Sequence, residues 1–267
     1  MEHPLGILLA PIDDPLASLS PDGNGIAFSF EGGIAIYDLS YGTTSFLQNL
    51  GKDNYKPKWS PNGNMLAYTF EDPPFASSIY LVSLVSGETM RITNSETVER
   101  DATWSTDGKW IAFASDWAKI DLPGGTFVGV TELYLLDASC LAEPITCVRG
   151  MRQITDMGPE GDSGHPAWSP DSRLLAFACG NVVNGDYQTD ICVTDINGSD
   201  LRNLTNTPED EYRPGWSPDG SYIAFTCENP DTREGDVCVI PAVGGKVINI
   251  TNTPDEAEIF SFWLAIK

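Results

Sequence analysis

The residues best suited to chemistry are acidic. Asp and Glu number 38 against 15 Lys and Arg, a formal charge of −23. Asp231, Glu234 and Asp236 fall within six residues and could offer hard oxygen ligands, so calcium is the candidate cation. No EF-hand pattern accompanies them, and no other cofactor is expected. The two histidines, His3 and His165, are too few for a histidine-built metal centre. A Ser-His-Asp hydrolase would need Ser163 or another serine set against His165, and no G-x-S-x-G elbow occurs. Phosphate loops and dinucleotide fingerprints are absent too, so the expectation is a protein without catalytic residues. The excess of acid excludes nucleic acid as a partner and favours a basic protein or a cation.

The elements that must position these residues are written in a repeat. Trp216 opens WSPDGSYIAF, Trp168 opens WSPDSRLLAF, Trp104 opens WSTDGKWIAF, Trp59 opens WSPNGNMLAY, and Leu19 opens the degenerate LSPDGNGIAF. The spacings are 40, 45, 64 and 48 residues. Periods of this size mean a four-stranded unit or a helical pair. Strand signals decide. Ser-Pro-Asp-Gly is turn chemistry that leads into a second strand, and alternating third strands follow, such as Glu132 to Asp137 and Asp190 to Asp195. A fourth strand ends in Ile92-Thr93-Asn94, Ile154-Thr155, Leu204-Thr205-Asn206 or Ile250-Thr251-Asn252.

Four antiparallel strands per repeat without helical periodicity describe the blades of an all-β propeller. The W-S-P-D-G-x-x-I-A-F copies, with the following strand and L-T-N ending, resemble the TolB-type, WD-repeat-like propellers. That resemblance covers nearly the whole chain and implies the fold. It leaves function open among binding proteins, lyases, peptidase accessory domains and sensors. The Trp-to-Trp divisions place five blades at 16–58, 59–103, 104–167, 168–215 and 216–257. Residues 1–15 are expected as an N-terminal arm and 258–267 as a strand of a partial sixth blade at the seam.

Against this ruler the cysteines fall in phase. Cys179 and Cys227 each lie eleven residues after their Trp, and Cys192 and Cys238 share a place on the third strand. Neighbouring antiparallel strands bring such positions within disulfide reach, which predicts Cys179–Cys192 and Cys227–Cys238. Cys140 and Cys147 remain as the third pair, closing a small ring in the third blade. Disulfides imply an extracytoplasmic compartment, secreted, cell-surface or periplasmic. The chain reads as a mature soluble domain with no apolar run long enough for a membrane span.

The same ruler sorts most acids into loops on one face, opposite the Ser-Pro-Asp-Gly turns. Asp53, Glu99, Asp101, Asp162, Glu211 and Glu256 are the expected binding residues at an electronegative channel mouth. His165 stands where the next repeat has Arg213 and is expected as a loop residue flanking the first strand. Asn197, Asn203 and Asn249 head N-x-S/T sequons and are candidate glycosylation sites. The expected function is a non-catalytic scaffold for a protein partner. A structural subunit that self-associates by exchanging terminal strands is the alternative, and a polysaccharide-acting propeller enzyme the second.

Overall fold

The computed structural model describes residues 17–252 apart from 49, 51–52, 73–75, 94–96, 118, 123–125, 143–149, 160, 184–185 and 230–233. Five four-stranded antiparallel sheets follow one another along the chain. Blade 1 is β1 (Ser18–Leu19), β2 (Gly25–Phe30), β3 (Gly33–Asp38) and β4 (Thr43–Phe46). Blade 2 is β5 (Asn54–Trp59), β6 (Met65–Asp72), β7 (Ala76–Ser83) and β8 (Thr89–Arg91). Blade 3 holds β9 (Glu99–Trp104), β10 (Trp110–Ser115), β13 (Glu132–Asp137) and β14 (Arg152–Gln153). Between its second and third strands an extra hairpin is inserted, β11 (Lys119–Leu122) with β12 (Thr126–Gly129), which lengthens this repeat. Blade 4 is β15 (Asp162–Trp168), β16 (Leu174–Val183), β17 (Asp186–Asp195) and β18 (Arg202–Asn203). Blade 5 is β19 (Asp210–Trp216), β20 (Tyr222–Glu228), β21 (Gly235–Pro241) and β22 (Ile248–Asn249).

Each Trp closes the first strand of its own blade. Counted by strands, blade 2 therefore starts at Asn54 and blade 5 at Asp210, a few residues before the Trp-to-Trp divisions. The expected terminal strands, 1–15 and 258–267, lie outside the described residues.

The turn after the Trp is built by side chains. Ser217 Oγ donates to Asp219 Oδ1 at 2.6 Å and accepts from the Tyr222 amide at 2.9 Å, closing the loop from inside. The same bonds recur at Ser20, Ser60, Ser105 and Ser169. The residue after the Asp or Asn must take a positive φ, which Gly23, Gly63, Gly108 and Gly220 supply near 75°. Blade 4 has Ser172 there at φ 59°, and its hydroxyl accepts the Asp107 amide of blade 3 at 3.0 Å.

The L-T-N ending is where the fourth strand leaves the ladder. Ile92 N donates to Ile79 O, and Thr93 Oγ1 then accepts from Ile79 N at 2.9 Å in place of a main-chain carbonyl. Thr155, Thr205 and Thr251 do the same for Leu133, Ile191 and Val237.

Blades pack face to face because successive strand residues point to opposite sides. Ile111 and Phe113 of β10 join a core shared with blade 2, while Ala112 and Ala114 join one shared with blade 4. Similar cores link blades 1 and 2 and blades 4 and 5. Ile26 and Phe28, the blade 1 counterparts of Ile111 and Phe113, are only half-buried. The Trp indoles stitch the ring. Trp59, Trp168 and Trp216 donate Nε1–H to carbonyls of Ser18, Thr103 and Ala167 on the preceding blade's first strand.

The predicted disulfides are present. Cys179–Cys192 and Cys227–Cys238 span neighbouring strands with Cα separations of 5.7 and 5.8 Å. Each is diagonal in the ladder, since Cys179 lies opposite Asp190 and Cys192 opposite Phe177. Cys140 is disulfide-bonded as well, and its expected partner Cys147 lies outside the described residues.

Candidate functional site at the channel

The first strands of adjacent blades touch one another: β5 meets β9, β9 meets β15, and β15 meets β19. First strands are therefore innermost, and what they present lines the central channel. In each of blades 2 to 5 the pairing of first with second strand slips, leaving a β-bulge. At the bulge, three residues before the Trp, stand Lys56, Asp101, His165 and Arg213. All four take positive φ, 55°, 60°, 52° and 58°. Four non-glycine residues thus hold this sparsely populated region at equivalent places.

Their side chains form a chain around the axis. Lys56 Nζ lies 2.7 Å from Asp101 Oδ1, and His165 Nε2 lies 4.0 Å from Asp101 Oδ2. Arg100 reaches Asp101 at 3.8 Å and Asp162 at 3.7 Å, tying the mouth to the channel. The Arg213 guanidinium sits 5.7 Å from the Tyr212 ring centre, and that ring lies 6.5 Å from the His165 imidazole. Burial would raise the Asp101 carboxyl, but the charges of His165, Lys56 and Arg100 outweigh it and hold it well below the usual range. Burial holds His165 below the ordinary imidazole value. Asp101 opposes this, and Lys56, Arg213 and Arg100 add to it. Near pH 7 the site is thus a carboxylate, a neutral imidazole and cationic side chains.

His165 corrects the expectation of a loop position, because it lies inside β15 at the bulge. The signal was present in the sequence, since residues 56, 101, 165 and 213 share one phase. Ser163 is not turned to catalysis with it: its hydroxyl donates to Thr155 Oγ1 at 3.2 Å in the junction between blades 3 and 4.

The expected acidic residues separate into three groups. Asp101 and Asp162 belong to the channel. Asp53 is exposed on the entry to β5, at φ 71°. Glu99 and Glu211 are fully buried between blades, each with Oε2 lacking a hydrogen-bond partner. Burial raises both, Glu211 to about 7, against the lowering effect of the threonine hydroxyls around them. They are interior groups and not a docking surface. Asn54 fills the same position in blade 2, so the position belongs to the blade junction. Glu256 lies outside the described residues.

Of the candidate calcium ligands, Asp231 is outside the described residues. Asp236 accepts from Asn249 Nδ2 at 2.8 Å and Thr251 Oγ1 at 3.1 Å, in the same way that Asp190 holds Asn203. Among the described residues no three His, Cys, Asp or Glu side chains come together as a metal cage. Asn203 and Asn249 each hold an aspartate of the neighbouring strand in their own blade, while Asn197 is exposed in the turn after Asp195. Among the described residues no helix is long and apolar enough to cross a membrane.

A ring of four-stranded blades with an axial site defines the class: a five-bladed β-propeller. Residues 11–119 match the family model described as the TolB beta propeller domain. The structure resembles a putative TolB from Agrobacterium tumefaciens, with a TM-score of 0.69 and 21% identity over 88% of this chain and 79% of that one. It also resembles an oligogalacturonate lyase in complex with manganese, with a TM-score of 0.65 and 15% identity over 91% and 66% of the two chains. A Bacillus subtilis (strain 168) protein named "Uncharacterized peptidase YuxL" is 25% identical over an alignment of 206 residues that covers 67% of this chain. The chain spans 31% of the length of that curated relative.

These likenesses correct the expectation of a protein without enzymatic activity. A relative carries the name of a peptidase and a lyase shares the fold, so the absence of familiar sequence motifs does not place this chain outside the enzymes. Motif searches miss a site assembled from one residue per blade.

Proposed function

We propose that the protein is an extracytoplasmic propeller that binds a partner or ligand at the channel face, with Lys56, Asp101, His165 and Arg213 as the residues that meet it. The observation that carries this reading is the bulge repeated in four blades, which turns one polar or charged residue per blade toward the axis at a cost in backbone strain. The disulfides support an oxidising compartment. The acids of the loops around the mouth favour a partner with basic groups on its periphery.

Introduced cysteines test the face. No free cysteine occurs among the described residues, so a new one is selectively labelled. Tyr187, 54% exposed beside the channel mouth, and Tyr222, 44% exposed at a Ser-Pro-Asp-Gly turn, are changed to Cys and capped with a bulky maleimide. Capture of extracytoplasmic proteins by cross-linking should fall with the cap at position 187 and persist with it at 222. Equal capture by both would overturn the reading.

A second reading is favoured by the length of the peptidase-named relative: a propeller that selects what reaches a hydrolytic site. Hydrolysis of a peptide library by the protein would support it.

A further inference from the structure

The cations of the channel are not matched alike. Lys56 is paired with Asp101, and Arg100 is shared between Asp101 and Asp162. Arg213 has no such counterpart among the described residues: its Nε and Nη1 are buried and neither has a hydrogen-bond partner. Its neighbours are the Tyr212 ring and His165. The Tyr212 hydroxyl is itself directed to Glu228 Oε2 at 3.2 Å.

We propose that Arg213 is the anchor of a carboxylate-binding subsite in the channel, and that His165 lies beside it to hydrogen-bond the same ligand. A buried charged donor left unpaired is costly, and an incoming oxygen recovers that cost where a solvated surface arginine would gain little. Guanidinium donors match a planar carboxylate, and the pair is strengthened by exclusion of water. The nearby acids decide the class of anion. Asp101 lies beside His165 and Glu228 beside the Tyr212 hydroxyl, and the whole chain carries −23, so a carboxylate group with one charge meets less repulsion there than a phosphate group with two. His165 held neutral can donate from one ring nitrogen and accept at the other, which suits a carboxylate flanked by a hydroxyl or amide. A peptide C-terminus, an acidic side chain or a sugar acid would present this group.

The subsite rests on the channel reading above, and its test is separate. Full-length protein is titrated with glutarate or with glutaramide at matched ionic strength, following the Arg213 Nε–H resonance by 1H–15N NMR. Arg213→Lys assigns the signal by its loss. The expected result is a saturable shift with glutarate and none with glutaramide, and at least tenfold weaker glutarate binding in Arg213→Gln. If Arg213→Gln does not fold, the comparison in wild-type protein decides alone. Equal response to both compounds, no response to glutarate, or unchanged affinity in Arg213→Gln would overturn the proposal. Loss of capture on capping position 187 without a glutarate response would leave the channel reading standing and remove the subsite. A glutarate response with undiminished capture would do the reverse.

Discussion

Lys56 Nζ of blade 2 lies 2.7 Å from Asp101 Oδ1 of blade 3, joining two channel residues 45 positions apart. Asp101 is 5% exposed in its side chain and Lys56 25%, so this is an interior pair with one edge wet.

Replacing Asp101 by Asn should lower the unfolding free energy by about 1–3 kcal/mol, the range for losing a hydrogen bond to a charged group. The lowered Asp101 carboxyl contributes stability above the usual carboxylate range and loses it as pH falls through its folded value. In Asp101→Asn that acid-side loss should shrink. The His165 imidazole should also titrate lower still, because the one charge that raises it has gone. Urea unfolding against pH and histidine NMR measure the two effects.

Glu211 carries the opposite dependence. Its folded value is raised to about 7 by burial, so its stabilising protonated form is fully present below its unfolded value and is lost as pH rises through about 7. The loss amounts to roughly 3 kcal/mol across that window. Glu211→Gln keeps an oxygen for the Thr207 hydroxyl and should flatten stability between pH 5 and 8, raising the melting temperature at the alkaline end. An unchanged pH profile would refute the assignment.

The disulfides should contribute about 3 kcal/mol each on the chain-entropy account, closing loops of 13 and 11 residues. The Cys179→Ala/Cys192→Ala double variant should show that loss in urea, and reductant should have a smaller effect on it than on wild type.

Gly198 packs blade 4 on blade 3. A Cβ there would collide with the Ile154 carbonyl oxygen at φ 74°, whereas one on Gly63 meets nothing within 4 Å at φ 73°. Gly63→Ala should cost about 1 kcal/mol, for the backbone alone. Gly198→Ala should cost more, by about 1–3 kcal/mol of forced movement. Thermal melts of the two variants compare them directly.

Much of the fold was legible because the repeat is dense in local chemistry. Ser217, Asp219 and Gly220 specify a turn within five residues, and the in-phase cysteines specify strand neighbours within one blade. The site was less legible. Phase put Asp101 and Glu99 two residues apart in one acidic set, yet one faces the channel and the other is sealed between blades. The bulge separates them, and it reverses the alternation that strand periodicity predicts.

By itself the sequence determined the blade: four strands, their turns, their cross-strand disulfides and the number of copies. Those features depend on contacts within about 50 residues, where residue type dictates conformation. Only the tertiary structure decided what lies at the axis and what lies between blades, because half of every junction comes from the next repeat. Lys56, Asp101, His165 and Arg213 differ in type and share only a phase. The ring brings them together, and leaves Arg213 alone among them with buried donors to satisfy.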